Sequence, residues 1–191
     1  MRRSIFACGL LLVLAGIPSA VATAAGGTDP QGSEQQQTAR TQAKAASIAY
    51  WDGKAQSAEA ATARWLTVVR GQPPHFSQTR SSTSPVAARR QARVWHDRAV
   101  AASNLAQHPP KLQAWYCIHR FEGSWTDPNA PYWGGLQMDY NFQAAYGPWL
   151  LKHKGTANHW SPLEQIWAGV RAWRVRGFEP WANTARACGV Y

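Results

Sequence analysis

The sequence predicts a small, mainly α-helical globular domain, preceded by a basic, helical and partly disordered N-terminal region. Three observations carry that expectation. Eight of the eleven tryptophans fall in residues 111–191. Apolar residues there recur at three- and four-residue spacing, with cap and stop signals at the ends of the runs. Alternation at period two, the mark of a half-buried strand, is weak everywhere.

The first residues, MRRSIFACGLLLVLAGIPSAVATAAGG, combine Arg2 and Arg3 with an apolar run from Ile5 to Ile17 and the small-residue site Ala22-Thr23-Ala24. This is the pattern of a secretory signal peptide over residues 1–24, too short for a membrane span. Cys8 lies early in the apolar run rather than after it, which argues against a lipid anchor. No other stretch is apolar enough to cross a bilayer, so the chain is expected outside the cell, secreted or wall-associated, with no membrane span. Its net charge of +10, reduced by two when Arg2 and Arg3 leave, suits nucleic acid, an anionic membrane or an anionic wall. Charge alone does not choose among them.

Residues 25–110 are rich in Ala, Gln, Ser, Thr and Arg and hold three tryptophans. Residues 26–41 have the composition of a disordered segment. Residues 55–69 and 87–106 read as helices, each with a tryptophan (Trp65, Trp95), separated by the break GQPPHFSQTRSSTSP. Their apolar content is thin for an independent core, so they are expected as a helical hairpin docked on the next domain or on a partner. The cluster Arg89, Arg90, Arg93 and Arg98 reads as a solvated helix face, with wall binding as its functional counterpart.

Residues 111–191 form the expected domain. Leu112, Trp115, Ile118 and then Phe121 or Glu122 mark a helical stripe stopped at Gly123. Asp139 is placed to cap a short helix ending before Gly147-Pro148, and Pro148 to open a turn ending at Gly155. Ser161-Pro162-Leu163-Glu164 is a capping box with proline at the first helical position. Leu163, Ile166, Trp167, Val170 and Trp173 or Arg174 then line one face. Outside the cell the remaining pair, Cys117 and Cys188, is expected to be disulfide-bonded. Closing a loop of about 70 residues is worth ~4 kcal/mol in the chain-entropy picture. No His/Cys spacing supports a metal site there.

The domain holds five carboxylates. The capping box accounts for Glu164, and Asp127 and Glu179 read as solvated loop residues. Asp139 has a structural use as an N-cap. Glu122 has none. It shares a face with Ile118 and Trp115, and both burial and the negative end of a helix disfavour a charged carboxyl there. His119, three residues back, would oppose this if protonated and close. A surface helix end is the alternative reading.

WYCIHRFEGSW followed by YWGGLQMD, SPLEQIWAG and GFEPWANTARACG resembles the transglycosylase-like catalytic domain of actinobacterial resuscitation-promoting factors. The similarity extends, more distantly, to lytic transglycosylases and c-type lysozymes. It runs from about residue 114 to residue 189, and its order of elements is more specific than any one of them. The resemblance implies a small lysozyme-like domain with Glu122 as catalytic acid. Asp139 would line the cleft and Gln165 would bind substrate. Tyr132 and Trp133 would stack on sugar faces, and Gln137 falls in the block shared with lytic transglycosylases, where it has a binding or a structural role. Two departures stand out. The Glu-Gly-Ser-Trp segment is two residues shorter than the family's usual Glu-Ser/Ala-Gly-Gly-Asn-Trp, and Cys117 precedes Glu122 by five residues instead of standing beside it.

The implied reaction is cleavage of the MurNAc–GlcNAc backbone of peptidoglycan, by lytic transglycosylase or muramidase chemistry, in wall remodelling or resuscitation. The acid protonates the leaving oxygen, while Asp139, or the sugar's own N-acetyl or 6-hydroxyl group, completes the step. Hydrolysis and anhydro-sugar formation both fit. No metal or organic cofactor is implied. Peptidoglycan glycan strands are the expected partner, alongside other wall hydrolases. Trp125 and Trp160 are further candidate sugar platforms. A non-catalytic peptidoglycan-binding module is the rival reading. Nucleic-acid binding ranks last, because most aromatics lie away from the arginine cluster.

Overall fold

A computed structural model describes residues 30–77 and 81–191. The signal-peptide assignment to residues 1–24 lies outside them, as do the first residues of the segment expected to be disordered. The described residues form seven α-helices, two short 3-10 turns and one two-stranded ribbon, so the chain is mainly α. Among the described residues no helix is long and apolar enough to cross a membrane.

Helix α1 runs from Pro30 to Arg70. From Pro30 onward the segment expected to be disordered is therefore helical. Its run of Ala, Gln, Arg, Lys and Glu favours helix even where nothing packs on it, and residues 31–46 are exposed throughout. Helix α2, Pro85–Gln107, starts on Ser84, whose hydroxyl accepts from the Ala87 N–H, with proline at the first turn. The pair is not the expected hairpin. Arg89, near the start of α2, stacks over Trp51, and Ala92 packs with Ala55 and Ala58. At the other end, the carbonyls of Val69 and Ala106 both receive donors from a single later helix. The helices therefore run parallel. Ser82, twelve residues after Arg70, lies back beside the middle of α1, where the Asp52 carboxylate accepts from its backbone N–H (3.0 Å) and hydroxyl (2.8 Å). About 27 Å of helix lies between those points, well within reach of a dozen extended residues. Small side chains at Ala88, Ala92, Ala102 and Ala106 let α2 lie close against α1.

Helix α3, Leu112–Glu122, buries Ala114, Trp115 and Ile118. It stops where expected, because Gly123 takes φ +151, a conformation open essentially to glycine. A ribbon follows, β1 (Tyr132–Trp133) antiparallel to β2 (Met138–Asp139), with Tyr132 opposite Asp139. Helices α4 (Tyr140–Tyr146) and α5 (Pro148–Lys154) come next, the first capped by Asp139. Helix α6, Pro162–Arg176, opens with the full capping box of Ser161 and Glu164 and is buried at every position from Glu164 to Val170. Lys154 adds a 2.6 Å ion pair to Glu164. Helix α7, Ala182–Ala187, ends beside Cys188.

The core is built around α6 from Trp115, Ile118, Leu136, Met138, Leu150, Ile166, Trp167, Val170 and Trp181. Trp115 meets Phe178 and Trp181 with ring centroids 5.1 Å apart. The helix pair docks on this core through two side chains of α6. The Trp167 indole donates to the Ala106 carbonyl (2.9 Å). Arg171 donates to the carbonyls of Val69 (2.9 Å) and Tyr146 (2.6 Å). Burial, with Arg174 nearby, lowers the pKa of Arg171 to about 10.

The disulfide joins Cys117 to Cys188, 71 residues apart, and so ties α3 to the end of α7. Reduction is expected to remove up to ~4 kcal/mol of stability. Melting followed by circular dichroism, with and without reductant, checks this; an unchanged midpoint after complete reduction would refute it.

Candidate functional site

At the end of α3, Phe121 is 59% exposed while Glu122 turns inward and is half-buried. The stripe therefore ends on the carboxylate. Glu122 Oε1 accepts from the Thr184 hydroxyl on α7 at 2.8 Å. The same hydroxyl lies 3.1 Å from the Trp181 carbonyl. One hydroxyl proton serves two acceptors, and the shorter contact is to the carboxyl. Thr184 thus holds Oε1 in place and leaves Oε2 as the oxygen open to other partners. His119 is occupied elsewhere. It stacks on Trp125 at 3.9 Å, and its Nδ1 bonds the Gly135 carbonyl at 3.2 Å.

Close by lies a groove of about 400 Å³ whose lining includes Tyr132, Gln137, Asp139, Tyr146, Arg176 and Trp181. Tyr132 is half exposed and offers a ring to the groove. Asp139 Oδ1 accepts from the Phe142 N–H at 2.6 Å, so the carboxylate both caps α4 and faces the groove. Arg176 pairs with Glu179 at 3.0 Å, and this partner raises its pKa. Trp181 forms part of the wall; its indole donates to the Leu136 carbonyl at 2.8 Å.

Glu122 and Trp133 do not line this groove. Glu122 is joined to it by two short paths. One runs through Thr184 to Trp181. The other runs through Gly123, where a Cβ would come within 3.2 Å of the Gln137 amide. Gln137, at φ +47, donates to the Gly134 carbonyl (3.0 Å) and to Asp127 Oδ2 (2.9 Å). It therefore holds the turn together while presenting part of its side chain to the groove.

The structure corrects two sequence readings and adds to a third. Gln165, expected to bind substrate, is fully buried. Its Oε1 accepts from the Gly135 N–H (2.8 Å), and its Nε2 lies 2.8–3.0 Å from the carbonyls of Trp125, Ala157 and Trp160. It pins four backbone points and has no free group for a ligand. Trp160 is 2% exposed and belongs to the core, its indole bonded to the Gly155 carbonyl. Asp127 is a loop residue, as expected, and it also organises its turn. It accepts from the Asn129 N–H at 3.1 Å, from the Asn129 side-chain amide and from Gln137, and these bonds, that of the Asn129 N–H foremost, lower its pKa. The Asp-Pro-Asn sequence carries the turn signature that announces this role. No local pattern announces Thr184, which meets Glu122 across 62 residues.

Among the described residues no group of three or more His, Cys, Asp or Glu side chains converges as metal ligands would. What the arrangement offers is an oriented carboxyl beside an aromatic, polar groove, with a second carboxylate in the wall. No protein-family model, curated protein or solved structure matches the chain.

Proposed function

We propose that residues 111–191 are a lysozyme-like domain that cleaves the glycan backbone of peptidoglycan, with Glu122 as general acid, in a protein secreted to the cell wall. One observation carries the reading. A half-buried carboxyl is held by a single side-chain donor, Thr184, and is linked through it and Trp181 to a groove that combines an exposed tyrosine ring with the Asp139 carboxylate. Glycoside cleavage needs these parts: a proton for the leaving oxygen, a flat apolar surface for the sugar ring and negative charge near the oxocarbenium-like centre. In this scheme the C–O bond breaks as Glu122 Oε2 delivers its proton to the leaving oxygen, and Thr184 stabilises the carboxylate left behind. Water or the sugar's own 6-hydroxyl then bonds the anomeric carbon and returns a proton to Glu122. Asp139 keeps one oxygen on the Phe142 N–H and presents the other to the sugar, while Tyr132 stacks on the ring.

The test is mass spectrometry of purified peptidoglycan fragments after incubation with the protein. Anhydro-muropeptides or new reducing ends are expected, and the product type tells transglycosylation from hydrolysis. Intact fragments after prolonged incubation would overturn the proposal. The second reading, a peptidoglycan-binding module without turnover, draws on the position of Glu122 outside the groove lining. It predicts retention on insoluble walls and no products.

A further inference from the structure

We propose that the exposed face of α2 is a docking surface for a linear phosphodiester polyanion of the cell wall. The wall setting comes from the proposed function, but the inference concerns binding alone. Arg89, Arg90, Arg93 and Arg98 are all exposed. Neither salt bridge among the described residues, Lys154–Glu164 or Arg176–Glu179, involves any of the four. Arg89 and Arg93 are four residues apart, a like-charge spacing that weakens a helix. Asp97, four residues after Arg93, is the only acid on α2, so four arginines face one carboxylate along this helix.

Two shallow grooves flank this face. One, of about 280 Å³, is lined by Trp51, Lys54, Arg89, Arg93 and His96. The other, of about 560 Å³, is lined by Arg90, Val94, Trp95 and Arg98 among others. The guanidinium of Arg89 lies 5.6 Å over the Trp51 ring, and that of Arg98 lies 4.7 Å over Trp95. Stacking orders both planes in advance and leaves their N–H groups free to fork onto phosphate oxygens. A flexible chain can follow either groove.

The same geometry disfavours the other polyanionic partners. Trp95 is buried and Trp51 is covered by Arg89, so neither offers the open ring on which bases stack. Val86 and Val94 are exposed, but Arg90 and Arg98 interrupt them. The face therefore lacks the continuous apolar stripe of a helix lying in a membrane surface.

The test uses the full chain without its signal peptide and the probe poly(glycerol phosphate), titrated across a salt series. Single-stranded DNA and phosphatidylglycerol vesicles serve as the other arms. The variant carrying Arg89→Gln, Arg90→Gln, Arg93→Gln and Arg98→Gln is expected to lose at least tenfold in affinity for the phosphate polymer. Its salt slope should fall by roughly 3, at about 0.7 per phosphate neutralised on a single strand. Changing the same four residues to Lys should preserve most of the binding. If the fourfold Gln variant melts early, Arg90→Gln with Arg93→Gln removes two charges that stack on no ring and should still weaken binding severalfold. Unchanged affinity in a folded Gln variant, or tighter wild-type binding to DNA or vesicles than to the polymer, would overturn the proposal. Turnover does not enter this measurement, so its failure is distinct from failure of the glycosidase reading.

Discussion

Glu122→Gln is expected to reduce release of soluble muropeptides at least a hundredfold while leaving binding to undigested peptidoglycan intact. A positioned general acid typically contributes ~10²–10⁴ in rate, and an amide cannot supply the proton. The substitution is otherwise mild. The Gln carbonyl can still accept from Thr184 at the position of Oε1, 2.8 Å away in the wild type. Tyr132, Asp139 and Arg176 stay in the groove. The melting midpoint should match that of the wild type, because the side-chain shape and the Thr184 hydrogen bond are kept. Turnover and melting are to be measured on the same preparations. Unchanged turnover would exclude Glu122 as the acid. Thr184→Val refines the test: loss of kcat at constant KM, restored by Thr184→Ser, identifies the hydroxyl as the group that orients the carboxyl.

What the sequence disclosed is what neighbouring residues decide among themselves. Ser161 and Glu164 cap each other across a single turn. Gly123 ends α3 through its own backbone freedom, and Asp139 reaches a donor three residues on. Each signal is read within a few positions, and each element lies where its signal places it. The parallel course of α1 and α2 depends instead on Ser82 finding Asp52 across 30 residues and on α6 receiving both helix ends. No turn motif encodes that. The same division runs through the candidate site. Glu122 was legible because an acid on an apolar stripe lacks a local explanation. Its partner Thr184 was not, because proximity across the fold leaves no trace in residue spacing.

Gln165 shows the division most sharply and carries the second large expected effect. The family resemblance gives Gln165 a role in substrate binding. In the fold, four backbone segments converge on its amide, and the Gly134-Gly135 turn exists to let it in: a Cβ on Gly134 would collide with the Gln165 side chain. Gln165→Leu keeps the approximate volume but leaves the Gly135 N–H and the carbonyls of Trp125, Ala157 and Trp160 without this partner. Each buried backbone group so orphaned costs about 1–3 kcal/mol, with incomplete additivity. The expected loss is therefore at least ~3 kcal/mol, or roughly 6–12 °C in melting midpoint for a chain of this size. Activity per folded molecule should fall as well, because the Trp125 and Gly135 loops shape the ground between Glu122 and the groove. A substrate-binding Gln165 would behave in the opposite way, raising KM with the melting midpoint unmoved. Thermal melting of the variant decides between the two roles without any substrate, and a wild-type midpoint would return Gln165 to the binding site.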